Sequence, residues 1–106
     1  MFTIEIVSKR DYKGNDAIYV GRPSPLGNPF TAAEDGRDAA IARFKDWLNL
    51  QWSSNNRRVC DEIIRLKTLL IKEESIKLMC WCSPKPCHAD VIAKAVINLA
   101  NKEVQA

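Results

Sequence analysis

Between positions 21 and 30 the chain reads Gly-Arg-Pro-Ser-Pro-Leu-Gly-Asn-Pro-Phe, with three prolines and two glycines in ten residues. Proline fixes φ and removes a backbone donor, and glycine disfavours regular structure, so neither a helix nor a central strand can run through this stretch. A stiff, ordered loop is expected, and the rest of the fold has to be arranged around it. Upstream, Phe2, Ile4 and Ile6 alternate with polar residues as in a half-buried strand. Lys13 to Asp16 form a turn cluster, and Ala17 to Val20 read as a second, short and fully buried strand that feeds the loop.

Downstream, Asp35 or Asp38 can cap a helix carrying Ile41, Phe44, Trp47 and Leu48 on one stripe, with Trp52 a turn later. Ser53 to Asn56 interrupt it. Val59, Ile63, Leu66 and Leu70 then repeat at helical spacing, which predicts a second helix to about Lys72. After the connection Glu73 to Ser75, Ile76 to Cys82 predict a third strand with Ile76, Leu78, Cys80 and Cys82 on one face. Ser83 to Pro86 turn the chain into a closing helix marked by Val91, Ile92, Ala95, Val96 and Leu99. The order β-β-α-α-β-α favours an α/β sandwich with a small, partly parallel sheet. A right-handed crossover through the helical pair would set the third strand beside the second.

The 106 residues have room for one domain, 1–106, and their 46% hydrophobic content argues against disorder. No apolar run approaches the ~20 residues of a membrane span, and the first ten residues lack the apolar core of a secretory signal. A cytoplasmic protein is expected, in a reducing compartment where structural disulfides are rare. The net charge of +3 and pI near 8.7 are only mildly basic, without the clustered positive stripe of a nucleic-acid module.

Cys80, Cys82 and Cys87 fall within eight residues, beside the only histidine, His88. The stretch Cys80-Trp81-Cys82-Ser83-Pro84-Lys85-Pro86-Cys87-His88-Ala89-Asp90 runs from a strand end through a proline-locked turn into a helix start. Ligands of open α/β sheets bind outside the carboxyl ends of strands. Pro86 suits the first helical position, which puts Cys87, His88 and Asp90 in the first turn, where unpaired N–H groups and the helix dipole favour anions and a thiolate.

Three readings of the cluster are open. A zinc site from Cys80, Cys82, Cys87 and His88 has suitable donors but poor spacing. Strand residues two apart are separated by roughly 6.6 Å, and adjacent helical residues diverge by about 100°. An anion or nucleotide site is the second reading. In the third, Cys80 and Cys82 are small core residues, as Cys60 on the second helix is expected to be, and Trp81 packs under a helix.

Within the proline-rich loop, Arg22 offers a planar charged fork for carboxylate or phosphate. Ser24 and Asn28 supply neutral hydrogen-bonding groups, and Gly27 permits close backbone approach. The plain alternative is a rigid structural turn with Arg22 paired to an acid such as Asp90.

Tyr19 to Phe30 and Leu78 to Val91 closely resemble the hallmarks of a bacterial and phage family of small domains of unknown function, (Y/F)-(V/I)-G-R-x-S-P-L-G-N-P-F and L-x-C-W-C-x-P-x-P-C-H-x-D-(V/I). The resemblance implies a Rossmann-like, three-layer α/β domain in which both motifs meet in one pocket, and a phage or prophage setting. The chain is also distantly similar to a family whose strand ends in Cys-x-Glu before a Cys-His-Arg helix start. Here Cys82 replaces the Glu and Ala89 the Arg, so no role for those groups carries across.

Two functions follow. In the first, the domain binds a nucleotide- or sugar-phosphate-like anion through Arg22, Ser24, Gly27, Asn28, Cys82 and the 87–90 helix start. Any chemistry there, glycosyl or phosphoryl transfer or hydrolysis, would use Cys87 as nucleophile, His88 as acid/base and Asp90 to orient it. No cofactor is required. In the second, the chain is a non-enzymatic phage factor that binds a host protein or nucleic acid, with the Cys/His cluster as zinc staple or core.

Overall fold

The computed structural model describes residues 1–30, 36–81 and 87–105. The expectations for Asp35, Cys82 and Pro86 lie outside them. Strand β1 spans Thr3–Ser8, β2 Ala17–Tyr19 and β3 Ser75–Cys80, with helices α1 at Arg37–Ser53, α2 at Arg57–Glu73 and α3 at His88–Gln105.

The sheet has the order β1-β3-β2, and both pairings are parallel. The expected β2–β3 neighbourhood is therefore present, in a sheet that is parallel throughout. β3 is its centre. In register, Ile4 lies beside Ile76, and Ile6 beside Leu78, with Ile18 on the other side of Leu78. That face packs on the helices. The opposite face carries Thr3, Glu5, Ser75 and Lys77, and no described helix covers it, because a helix there would strip water from these polar groups. All three helices pack against one another, with α2 and α3 touching β3. The described architecture is thus a sheet with one helical layer, where three layers were expected.

Val59, Ile63, Leu66 and Leu70 form the buried stripe of α2, as their spacing predicts. Burying each large aliphatic side chain contributes about 1.5–3 kcal/mol. α2 starts where Asn56 accepts a hydrogen bond from the Val59 N–H, and it ends at Glu74, whose left-handed φ of 67° stops the helix just before β3. On α1 the buried residues are Ala40, Phe44 and Leu48. The α1 start differs from expectation: Gly36, at φ 87°, occupies the cap position without a side-chain bond, and Asp38 lies inside the first turn. β2 is an edge strand of half-buried residues, and the fully buried residue is Val20 just after it. Cys60 is only half buried and stands outside the core cluster. No described helix is long and apolar enough to cross a membrane.

Candidate functional site

Each strand ends at the same side of the molecule, and the chain leaves it there in loops. The Lys9 N–H donates to the Cys80 carbonyl (2.8 Å), and the Val20 N–H donates to the Met79 carbonyl (3.0 Å). These bonds prolong the ladder to the rim. Gly21 and Arg22 on one side, and Trp81 on the other, therefore emerge next to each other beyond the carboxyl ends of β2 and β3.

The proline-rich loop is held by its own hydrogen bonds. The Ser24 N–H donates to the Gly21 carbonyl (2.8 Å), and the Gly27 N–H to the Ser24 carbonyl (2.9 Å). The Ser24 hydroxyl accepts from the Leu26 N–H (3.3 Å). Leu26 is fully buried and pins the turn into the core. A Cβ on Gly27 would stand 2.9 Å from the Cα and N of Arg22, so glycine is what lets the turn fold against the arginine backbone. Asn28 accepts from the Phe30 N–H (2.9 Å) and donates to the Ala40 carbonyl (3.4 Å), tying the loop to α1. Arg58 donates to the Pro23 carbonyl (3.2 Å) from α2.

These elements enclose a cavity of about 340 Å³. Arg22, Asn28, Cys87 and His88 all line it, so the two distant stretches of sequence are brought together. Ser24 does not; its hydroxyl is spent inside the turn. Gly27 supports Arg22 without lining the cavity. Asp90 faces away, toward a groove between α1 and α3. Cys80 lies on the core face of β3, 1% exposed. Sequence reasoning missed Arg37, Tyr19 and Phe30 as lining residues, and it misplaced Trp81, which is 52% exposed at the cavity rim and lies under none of the described helices. The arginine offered no signal, because only the approach of α1 to the loop gives it a role.

The cavity floor is a thiol and an imidazole. His88 is buried, edge-on to the Phe44 ring with centroids 5.0 Å apart. Its Nε2 lies 2.8 Å from the Val20 carbonyl oxygen, which can only accept, so Nε2 carries the proton and donates. Nδ1 of the neutral ring then holds its lone pair toward Cys87 Sγ, 3.3 Å away, and the thiol is the donor. Burial holds the His88 pKa below the ordinary histidine value. The Val20 carbonyl and Asp90 oppose that shift, and the nearby Arg22 charge adds to it.

The Val20 carbonyl thus fixes the imidazole, a role expected of Asp90. The Asp90 carboxylate instead accepts from the Cys87 N–H (3.0 Å), the return half of a capping box. α3 begins at His88, so Cys87 stands at the cap, two positions earlier in the helix than a start at Pro86 would put it. Chemically, this pair can pass the thiol proton to Nδ1 and leave a thiolate facing the cavity.

Two helices present their first turns here, α1 through Arg37, Ala40 and Ile41, α3 through Cys87 and His88. Helix N-termini carry partial positive charge, which disfavours a cation such as Arg37 in a first turn; Asp38 offsets it within the same turn but does not line the cavity. No carboxylate is among the described lining residues. Among the described residues no group of three His, Cys, Asp or Glu side chains could hold a metal ion. The zinc alternative depends on Cys82, outside the described residues, and Cys80 is committed to the core.

No solved structure matches the chain. It is similar to the "Uncharacterized 12.4 kDa protein in nrdA-td intergenic region" of Enterobacteria phage T4, 30% identical over 95 residues, which is 89% of this chain and 80% of that protein. Residues 6–98 match the model of a domain of unknown function, and on that span the chain belongs to the DUF4326 family.

Proposed function

We propose that this chain binds a small anion of the nucleotide or sugar-phosphate type in the cavity outside the carboxyl ends of its parallel strands. The observation that carries this reading is the charge of the walls: Arg22 and Arg37 line the cavity with no carboxylate among the described lining residues, where two helix N-termini converge. Guanidinium groups match phosphate oxygens with paired donors, and such charge-assisted bonds are the strong ones. A volume of about 340 Å³ lies within the range of small-molecule sites. The Cys87 thiol and His88 imidazole at the floor are the groups positioned to act on the bound molecule, by transfer or hydrolysis at a phosphoryl or glycosyl centre.

The test is a thermal-shift screen of nucleotides and sugar phosphates against the protein and its Arg22→Ala variant. Arg22 is exposed and holds up no core, so the variant should fold and melt normally. At least one anionic ligand is expected to raise the wild-type melting temperature and leave the variant unmoved. Equal shifts in both proteins would refute the site.

A further inference from the structure

The cavity rim carries a feature that an anion alone does not require. The Lys9 ammonium lies over the Tyr19 ring, 4.4 Å from its centroid, and 5.9 Å from the centroid of the Trp81 ring. A cation is drawn to the face of an aromatic ring within about 6 Å. Its position therefore reports that Tyr19 presents a π face, and Trp81 an open ring, to one shared space at the mouth. Both rings also line the cavity that holds Arg22 and Arg37. Trp81 is 52% exposed, more than Trp52 at 39% or the half-buried Trp47, although burying an indole is ordinarily favourable. A large exposed aromatic beside two arginines, with no acid among the described lining residues, is what a flat, anionic ligand needs: one part to stack, another to pair with charge.

We propose that Tyr19 and Trp81 form a stacking platform for a nucleobase, so that the ligand of this cavity is a nucleoside 5′-phosphate whose base lies at the rim and whose phosphate lies between Arg22 and Arg37. This deepens the anion-binding reading and rests on it. The base takes the space over the rings in which the Lys9 ammonium lies. The lysine chain is long and flexible, and its charge swings to the phosphate side as a third cation. Sugar phosphates reach the same guanidinium groups but offer the rings nothing flat to cover. Stacking on an aromatic side chain tolerates any base, so the platform selects nucleotides as a class and not one base among four.

The experiment compares calorimetric affinities of inorganic phosphate, ribose 5-phosphate and the 5′-monophosphates of adenosine, guanosine, cytidine and uridine. Wild-type protein should bind at least one nucleotide about tenfold or more tighter than ribose 5-phosphate. In Trp81→Ala that nucleotide should fall to the affinity of ribose 5-phosphate, whose own binding stays unchanged. Trp81→Phe, which keeps a ring face, should restore most of the difference. Ribose 5-phosphate binding as tightly as every nucleotide overturns the platform and leaves the anion site standing. Equal weakening of both ligands by Trp81→Ala also overturns it. If none of the probes binds, the platform and the anion site fall together.

Discussion

The two ends of the sheet carry cavities of similar size and opposite electrostatic design. At the amino ends of the strands, about 290 Å³ is lined by Asp16, Glu73 and Lys77 among others, so acids outnumber the one cation, which is itself paired. Lys77 pairs with Asp16 at 3.1 Å, and Tyr12 donates to the same carboxylate. At the carboxyl ends, about 340 Å³ is lined by Arg22 and Arg37 with no described acid. That end gains little from an anion, which would meet Glu73 and have to displace Asp16 from Lys77. A set with no acid among its described lining residues gains from an anion supplied by a ligand. Concavity alone therefore does not distinguish the ends; the sign and pairing of the charges do.

The sharpest way to break this contrast is to remove the charges one end at a time. The double variant Arg22→Ala, Arg37→Ala should lose about a hundredfold or more in nucleotide affinity, since hydrogen bonds to charged groups contribute about 1.5–3 kcal/mol each. Lys77→Ala should leave that affinity unchanged, because its ammonium serves the other cavity. Calorimetry on both variants settles the matter, and a comparable loss from Lys77→Ala would erase the distinction between the ends.

A smaller effect tests whether the loop positions its arginine. Gly27→Ala puts a methyl group 2.9 Å from the Arg22 backbone. The displacement should cost about 1–3 kcal/mol of stability in denaturant melts and weaken anion binding as well. Full affinity in a destabilised Gly27→Ala protein would mean that Arg22 needs no fixed support.

The smallest effect is pH-dependent and belongs to the cavity floor. His88 has its pKa lowered from 6.5 on folding, chiefly by burial, so the native state holds the imidazole neutral. The unfolded chain takes up the proton first as pH falls. His88 thus contributes stability that is fully present above about pH 6.5 and is lost as pH drops from there through the depressed native value. Melts between pH 8 and 5 should show this fall in the wild type and a flatter profile in His88→Gln. Parallel profiles would show that the imidazole is not held neutral by its burial against Phe44 and Val20.

Much of the scaffold was legible from local pattern. The α2 stripe could be read because residues four apart share a helix face whatever lies opposite. The proline-rich loop was equally plain, since φ restriction and missing donors act within a few residues. The pairing of β2 with β3 followed from the crossover rule. The layer count did not follow, because a strand alternating Ile with Thr, Glu and Ser does not say whether a helix or water covers its polar side. β2 was read as fully buried, but its three residues are half buried on an edge, which only the strand order decides.

The site divides in the same way. Arg22, Asn28, Cys87 and His88 stood out in the sequence by chemistry and by their place at element ends. Asp90 stood out for the same reason, yet its carboxylate was taken by the nearest N–H, three residues back, as local geometry prefers. Ser24 was likewise consumed by its own turn.

The amino-acid sequence by itself determined the helices, the rigid loop and the adjacency of the Cys87 thiol and His88 imidazole at a helix start, because each depends on contacts or propensities within one or two turns of chain. Only the tertiary structure decided that Val20 fixes the imidazole from 68 residues away, that Arg37 joins Arg22, and that Trp81 faces outward. Those outcomes depend on which strand ends and helix starts converge, and convergence is a property of packing that no short stretch of sequence encodes.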